Sequence, residues 1–499
     1  MAELTDTSSP GAKPVLDPAD GSADPARTDA SLQHDPGEQL SLWEGIREAL
    51  RGSHRDYTKG PIGRAIMLLA IPMVLEMLME SVFAVVDIFW VSFLGTDAAA
   101  TVGLTESLLT LIYALAIGLS IGATAMVARR IGEHNPDGAA RAAVQAIALG
   151  LIVALVIAAI GAPLAPKLLS LMGGSPWVVQ QGSGFTRVML AGNATVVLLF
   201  MVNAIFRGAG DAAIAMRVLW LANWINIILG PCLIFGLGPF PKLGIVGAAI
   251  ATNIGRGTGA LYAISRLVRS GGRFDITRRF LRLEPSIMIR LIRLSATGTF
   301  QVFIGMASWI GLVRTISSFG SDAVAGYTFG IRVIIFALLP SWGMANAAAT
   351  MVGQALGARD PERAERAVWK AGFYNMIFLG IVGLLFELFA PQIIGFYTSD
   401  PNVAHYGVDC LRIVAYGFLF YAYGMVLGQS FNGAGDTWTP TIINLFIFWI
   451  WELPLAYVLA IVLGFGPRGV FIAITVAFSS LAVVSALVFR RGKWKTRVV

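Results

Sequence analysis

Charge is scarce in this chain. Only 13% of its 499 residues are Asp, Glu, Lys or Arg, about half the share that a soluble domain carries. With 56% hydrophobic residues and a mean hydropathy of +0.71, that scarcity excludes both a water-soluble enzyme and a disordered chain. Cysteine is nearly absent. Cys232 and Cys410 cannot build a disulfide framework, and four scattered histidines offer no zinc spacing, so the sequence calls for no metal centre and no cofactor. No Gly-x-x-x-x-Gly-Lys-Ser/Thr loop occurs, which leaves direct use of ATP without support. The net charge of +7 does not gather on one element, as a nucleic-acid footprint would.

What is present is apolar length. Twelve runs can be bracketed by polar punctuation, the first over 65–93 and the last over 470–489, each long enough for a spanning helix of about 20 residues. Arginines such as Arg129, Arg130, Arg207, Arg359 and Arg363 fall in the connections after even-numbered runs and in the closing stretch. The positive-inside rule then places both termini in the cytoplasm, and the plasma (inner) membrane is the expected location. The acidic, Pro- and Ser-rich residues 1–58 read as a disordered cytoplasmic tail.

An internal repeat organises the rest. Phe206-Arg207-Gly208-Ala209-Gly210-Asp211 recurs 225 residues later as Phe431-Asn432-Gly433-Ala434-Gly435-Asp436, and Gly132, Pro136 and Ala142 recur as Gly357, Pro361 and Ala367. One offset running through six helices predicts an all-α membrane protein with two homologous six-helix lobes, residues 59–268 and 291–490. A basic loop (269–290) joins them and a basic tail (491–499) closes the chain. An even number of spans per lobe makes the repeats parallel, an arrangement that suits rocking-bundle alternating access.

The first run carries Glu76, Glu80 and Asp87. At about 100° per residue, Glu80 lies about 40° and Asp87 about 20° from Glu76, so all three share one face. An ionised carboxylate at the bilayer centre costs about 2.5–3.5 kcal/mol on insertion scales, so these acids need partners or a wet cavity. Like charges so close should titrate together. Pro72 removes a backbone hydrogen bond and makes a hinge in the same run. The Gly-Ala-Gly-Asp pair resembles a motif of intramembrane aspartyl proteases, yet its place at the end of an apolar run favours a turn in which Asp caps the next helix. The repeat sets Glu106 and Arg332 at similar depth in opposite lobes, where a salt bridge could latch the outer mouth.

The Leu69-Ala70-Ile71-Pro72 start, Val85-Val86-Asp87-Ile88 followed by Leu94-Gly95, the paired Phe-x-Gly-Ala-Gly-Asp turns and the Gly247-Ala248-Ala249-Ile250-Ala251-Thr252 run together resemble the multidrug and toxic compound extrusion (MATE) family over residues 60–490. The resemblance implies an antiporter, not an enzyme, that exports amphiphilic or cationic small molecules across the lipid bilayer in exchange for H⁺ or Na⁺; a monomer is expected. It also implies a coupling site of Asp87, Asn203, Asn226 and Thr252; Gly230 stands where the family has a fifth-helix acid, and from their shared face we expect Glu76 and Glu80 to restore the negative charge lost there. The repeat equivalents of Glu76, Glu80 and Asp87 are Gln301, Gly305 and Leu312, so the carboxy lobe lacks a matching acidic stripe. A flippase for a lipid-linked precursor is the rival within the superfamily, with Arg256, Arg314 and Arg332 as its cationic groups; an intramembrane hydrolase is a more distant one.

Overall fold

The computed structural model describes residues 42–52, 56–269, 273–274 and 276–497, and the described residues are helical throughout their regular elements. The amino lobe comprises α1 (Ile62–Ser92), α2 (Thr96–Gly132), α3 (Pro136–Leu171), α4 (Val178–Ala209), α5 (Ala212–Phe235) and α6 (Ile245–Val268). The carboxy lobe comprises α7 (Pro285–Ser317), α8 (Ser321–Gly357), α9 (Pro361–Gly395), α10 (Pro401–Gly433), α11 (Trp438–Val462) and α12 (Pro467–Arg490). Ten of the twelve are apolar and long enough to cross a bilayer as they stand. Of the others, α10 is bent by 62° after Ala415, and α6 has 24 residues whose apolarity is diluted by Thr252, Asn253 and Arg256.

Local chemistry repeats with the helices. Asn135 and Asp360, 225 apart, cap α3 and α9 by accepting from the N–H groups of Gly138 and Arg363 at 2.8 Å, each followed by a proline whose missing N–H costs nothing at a first helical position. Gly95 and Gly320 start α2 and α8 with φ of 97° and 100°, a backbone conformation that a Cβ would strain. Leu155, Val156 and Ile160 of α3, like Ile381, Leu384 and Leu388 of α9, stand exposed on the outside of the bundle, as lipid-facing residues should.

The lobes meet through α1 against α8 and α2 against α7, pairs that exchange under the repeat. Small residues make this seam. A Cβ on Gly132 would lie 2.0 Å from the Gln354 carbonyl oxygen, and one on Gly357 would lie 2.3 Å from that of Arg129. Gly118 meets the backbone of Thr299, and its repeat mate Gly343 meets that of Met73 and Val74. Thr350 and Gln354 donate across the seam to the carbonyls of Arg207 and Gly208 at 3.1 and 3.0 Å. All these contacts fall toward the face that carries both described chain ends, here termed inner. Toward the opposite, outer face Gly103 and Gly305 look onto open space and Glu106 and Arg332 are exposed. The lobes are thus closed at the inner face and parted at the outer one.

Two expected boundaries change. The tail expected to be disordered over 1–58 lies outside the described residues at 1–41 and 53–55, but Leu42–Arg51 is a helix, because Ala49 is buried, Glu48 pairs with Arg64 at 2.7 Å and Leu50 O accepts from Arg217 at 2.7 Å. Residues 57–60 are held by Arg363, which donates to the carbonyls of Tyr57, Lys59 and Gly60. The loop set at 269–290 is shorter, since Pro285 starts α7 six residues before the apolar run at Leu291. Within the basic tail, Trp494 is buried and stacks on Phe489 at 4.4 Å, Lys495 pairs with Glu365 at 2.5 Å, and Arg129 donates to the Arg497 carbonyl.

Candidate functional site

The acidic face of α1 turns into the amino lobe, and its three carboxylates, spread over about 16 Å of helix, have three different fates. Glu76, 1% exposed, pairs with Arg207 Nη1 at 2.7 Å and accepts from Asn203 Nδ2 at 3.3 Å. Glu80 pairs with Arg256 Nη2 at 3.1 Å and accepts from Asn223 Nδ2 at 3.1 Å. Asp87, farthest toward the open outer side, makes no hydrogen bond or ion pair among the described residues, and it lies within electrostatic reach of Glu106 and Arg256. Two guanidinium groups therefore neutralise two of the three acids, and Asp87 is left over.

This divides the set that the sequence groups together. Asn203 reaches Glu76 instead of Asp87, while Asn226 donates to Thr252 at 2.7 Å and Thr252 in turn to the Ala248 carbonyl at 3.0 Å. Glu76 and Glu80 share a face with Asp87 but each is bound to its own arginine, the role of a helix-joining charge. Pro72 is the eleventh residue of α1, well past the first two turns where a proline is harmless, so it leaves the Leu68 carbonyl without its helical donor. Glu106 and Arg332 form no ion pair in this outer-open arrangement, although each lies within the other's field.

Two participants, Tyr113 and Asn223, escape a reading of the sequence, and a third, Arg256, enters it only as a cationic group of the rival flippase reading. Tyr113 of α2 lies within electrostatic reach of Arg256, Glu80, Glu106 and Asp87, and packs against Phe200 at 6.0 Å. Arg256, 3% exposed, sits over the Phe83 ring at 5.4 Å and keeps Nε and Nη1 without hydrogen-bond partners. Asn223, two turns from the Gly230 position, completes the shell of Glu80. No spacing rule finds these groups, because they enter from α2, α5 and α6.

Two expected features are corrected. Asp211 occupies the N-cap position of α5 but its side chain does not cap; it pairs with Arg273 at 3.5 Å, and Asp436 pairs with Arg497 at 3.3 Å while accepting from Thr439 at 2.7 Å. The two aspartates belong to separate lobes and each is tied to an arginine, so they form no catalytic dyad. Nor do Arg256, Arg314 and Arg332 assemble one cationic pocket: Arg256 is buried against Glu80, whereas Arg314 and Arg332 are exposed on α7 and α8.

Comparison with known proteins agrees with this architecture. The MatE family model matches residues 72–232 and again 298–458, the second match starting within one residue of where the repeat offset puts it. A probable multidrug resistance protein NorM of Thermotoga maritima is 25% identical over 439 residues, covering 88% of this chain and 94% of the relative. An FAD transporter of Shewanella oneidensis is 27% identical over 403 residues, covering 79% and 88%. A solved structure described as the outward-facing conformation of a multidrug resistance MATE family transporter of the MOP superfamily superposes with a TM-score of 0.82 at 29% identity, covering 92% of this chain and all of that one. With both repeats matched and the two-lobe fold shared, the chain belongs to the MatE family: it is an integral, multi-pass membrane transporter of small molecules and not an enzyme.

Proposed function

We propose that the protein is a proton-coupled antiporter that exports amphiphilic, cationic compounds, with Asp87 as the coupling carboxylate. The observation that carries this reading is the charge inventory of α1: Glu76 and Glu80 have arginine partners and Asp87 has none among the described residues, at the edge of the outer-open cavity. Positive loops at the inner face make that face cytoplasmic, so the cavity opens to the outside of the plasma (inner) membrane. There a proton binding to Asp87 removes the charge that holds a cationic substrate, and the substrate leaves.

The return step uses Arg256. Its two unpartnered donors give an ionised Asp87 a place to go, so that proton release inside draws Asp87 toward Arg256 and bends α1 at Pro72. Closure of the outer mouth brings Glu106 toward Arg332, and the latch forms in the inner-open state. Asn226 and Thr252 support the sodium alternative, since they offer two neutral oxygens near α6, but they are bonded to each other instead of to Asp87. The protein works as a monomer, each lobe pair enclosing its own cavity.

Efflux of ethidium from proteoliposomes under separately imposed proton and sodium gradients tests the reading. The wild type should respond to the proton gradient, and Asp87→Asn, which keeps size but not titration, should lose that response. Full proton-driven efflux by Asp87→Asn would refute the assignment of Asp87; efflux that follows sodium alone would refute proton coupling.

A further inference from the structure

The carboxy lobe holds an acid that the amino-lobe site does not use. Glu452 of α11 is 1% exposed, its Oε2 has no hydrogen-bond partner, and it makes no ion pair among the described residues. Counting 1.5 Å per residue, it stands about 21 Å from the start of α11 and about 15 Å from its end, in the middle of the membrane. Its neighbours are aromatic and neutral. Tyr327 of α8 and Tyr421 of α10 lie within its electrostatic reach; the Tyr327 hydroxyl is also buried without a partner. Phe471 and Phe478 of α12 stack on these two tyrosines at 6.3 and 4.1 Å. Cys410 of α10 adjoins Tyr327, and Asp409 of α10 pairs with Arg468 of α12 at 2.5 Å. From α7 the contact to α11 is neutral, with Trp449 of α11 donating to the Ile304 carbonyl at 3.1 Å.

An acid with no cation and no donor in such a place is held as the neutral carboxyl, because burying an unpaired charge is the costlier state. The backbone around it is irregular. Glu452 ends a π-helical stretch, Leu445–Glu452; Pro454 follows, and a second π stretch spans Val458–Val462. Such segments carry one more residue per turn than an α-helix needs, so relaxing a π turn to α advances the register by one residue and turns the side chain by about 100°. The amino lobe's own π stretch, Val178–Gly182 at the start of α4, contains no acid. Residues 225 earlier are Ile227, Val102 and Val196, so the acid and both tyrosines replace an apolar core in only one of the two lobes.

We propose that Glu452 is a second proton carrier, loaded in this outer-open state and discharged when α11 changes register as the lobes rock. The inference rests on the proton-coupled reading above and raises the count from one proton to two per transported molecule. Proton and register move together: the neutral carboxyl packs against Tyr327 and Tyr421, whereas the carboxylate requires the water of the central cavity.

Proteoliposomes holding the full-length protein, loaded with ethidium, give the count directly. With the membrane potential clamped at zero, each coupled proton lets a pH difference of one unit sustain about a tenfold ethidium gradient. The wild type should reach about 100-fold per unit, whereas Glu452→Gln and Glu452→Ile, the latter copying the amino-lobe residue, should fall to about tenfold. An unchanged limit in both variants would overturn the second carrier and leave coupling through Asp87 standing. A wild-type gradient indifferent to pH would overturn both readings. Should the variants fail to fold, the wild type decides: dicyclohexylcarbodiimide, which adds to protonated carboxyls in apolar surroundings, should label Glu452 at neutral pH. Labelling that reaches Asp87 but spares Glu452 would overturn the inference.

Discussion

Replacing Gly132 by alanine should open the inner seam. The added methyl would sit 2.0 Å from the Gln354 carbonyl oxygen, whereas ordinary carbon–oxygen contact needs about 3.4 Å, so the lobes must part there by more than an ångström. No rotamer change can relieve the clash, because the atom in the way is backbone. Overpacking of this kind costs about 1–3 kcal/mol, which shifts the balance between inner-closed and inner-open forms by about 5- to 150-fold. Gly357→Ala, the repeat mate at 2.3 Å from the Arg129 oxygen, should do the same, and the double variant more. Gly103→Ala, with no atom within 4 Å of the new carbon, is the matched control. Spin labels on the inner ends of α2 and α8 would report the change as a longer distance population in the variants. If Gly132→Ala leaves the distance distribution of the wild type, or if Gly103→Ala shifts it equally, the backbone seam does not set the equilibrium.

Other outcomes follow from the charge pairs. Arg207→Met should destabilise the detergent-solubilised protein by about 3–5 kcal/mol, because Glu76 is left buried and unpaired, and Glu76→Gln/Arg207→Met should recover most of that loss in thermal unfolding; a double variant no better than the single would refute the pairing. Glu106→Arg and Arg332→Glu should each slow ethidium efflux and the double swap should restore it; failure of restoration would remove the outer latch. Pro72→Ala should lower the turnover rate without unfolding α1, since it returns a hydrogen bond to the Leu68 carbonyl, and unaltered turnover would dismiss the hinge.

The repeat was legible in the sequence because its signals are local: Gly132 and Pro136 recur as Gly357 and Pro361, and the turns at Gly210 and Gly435 keep the same spacing whatever the packing. The acidic face of α1 was legible for a similar reason, since periodicity on one helix needs no knowledge of its neighbours. Which acid was free was not. Arg207 and Arg256 lie 131 and 176 residues from the acids they neutralise, and only tertiary packing decides that they reach Glu76 and Glu80 and leave Asp87. Glu452 escaped notice because a single acid in an apolar run has no period, and the π turns around it leave no mark on composition.

The two aspartate–arginine pairs at the inner face redefine what was duplicated. Arg273 follows α6 and binds Asp211; Arg497 follows α12 and binds Asp436, so each lobe is strapped by the segment that leaves its own sixth helix. The inherited unit is six helices plus a strap. In the first copy the strap runs on and becomes the connection between lobes, with Arg273 also stacked over Tyr57 at 4.8 Å. The second copy's strap crosses back to the first lobe, where Arg129 donates to the Arg497 carbonyl. The linker and the closing segment are thus one element used twice, and any movement of a lobe must carry its strap along.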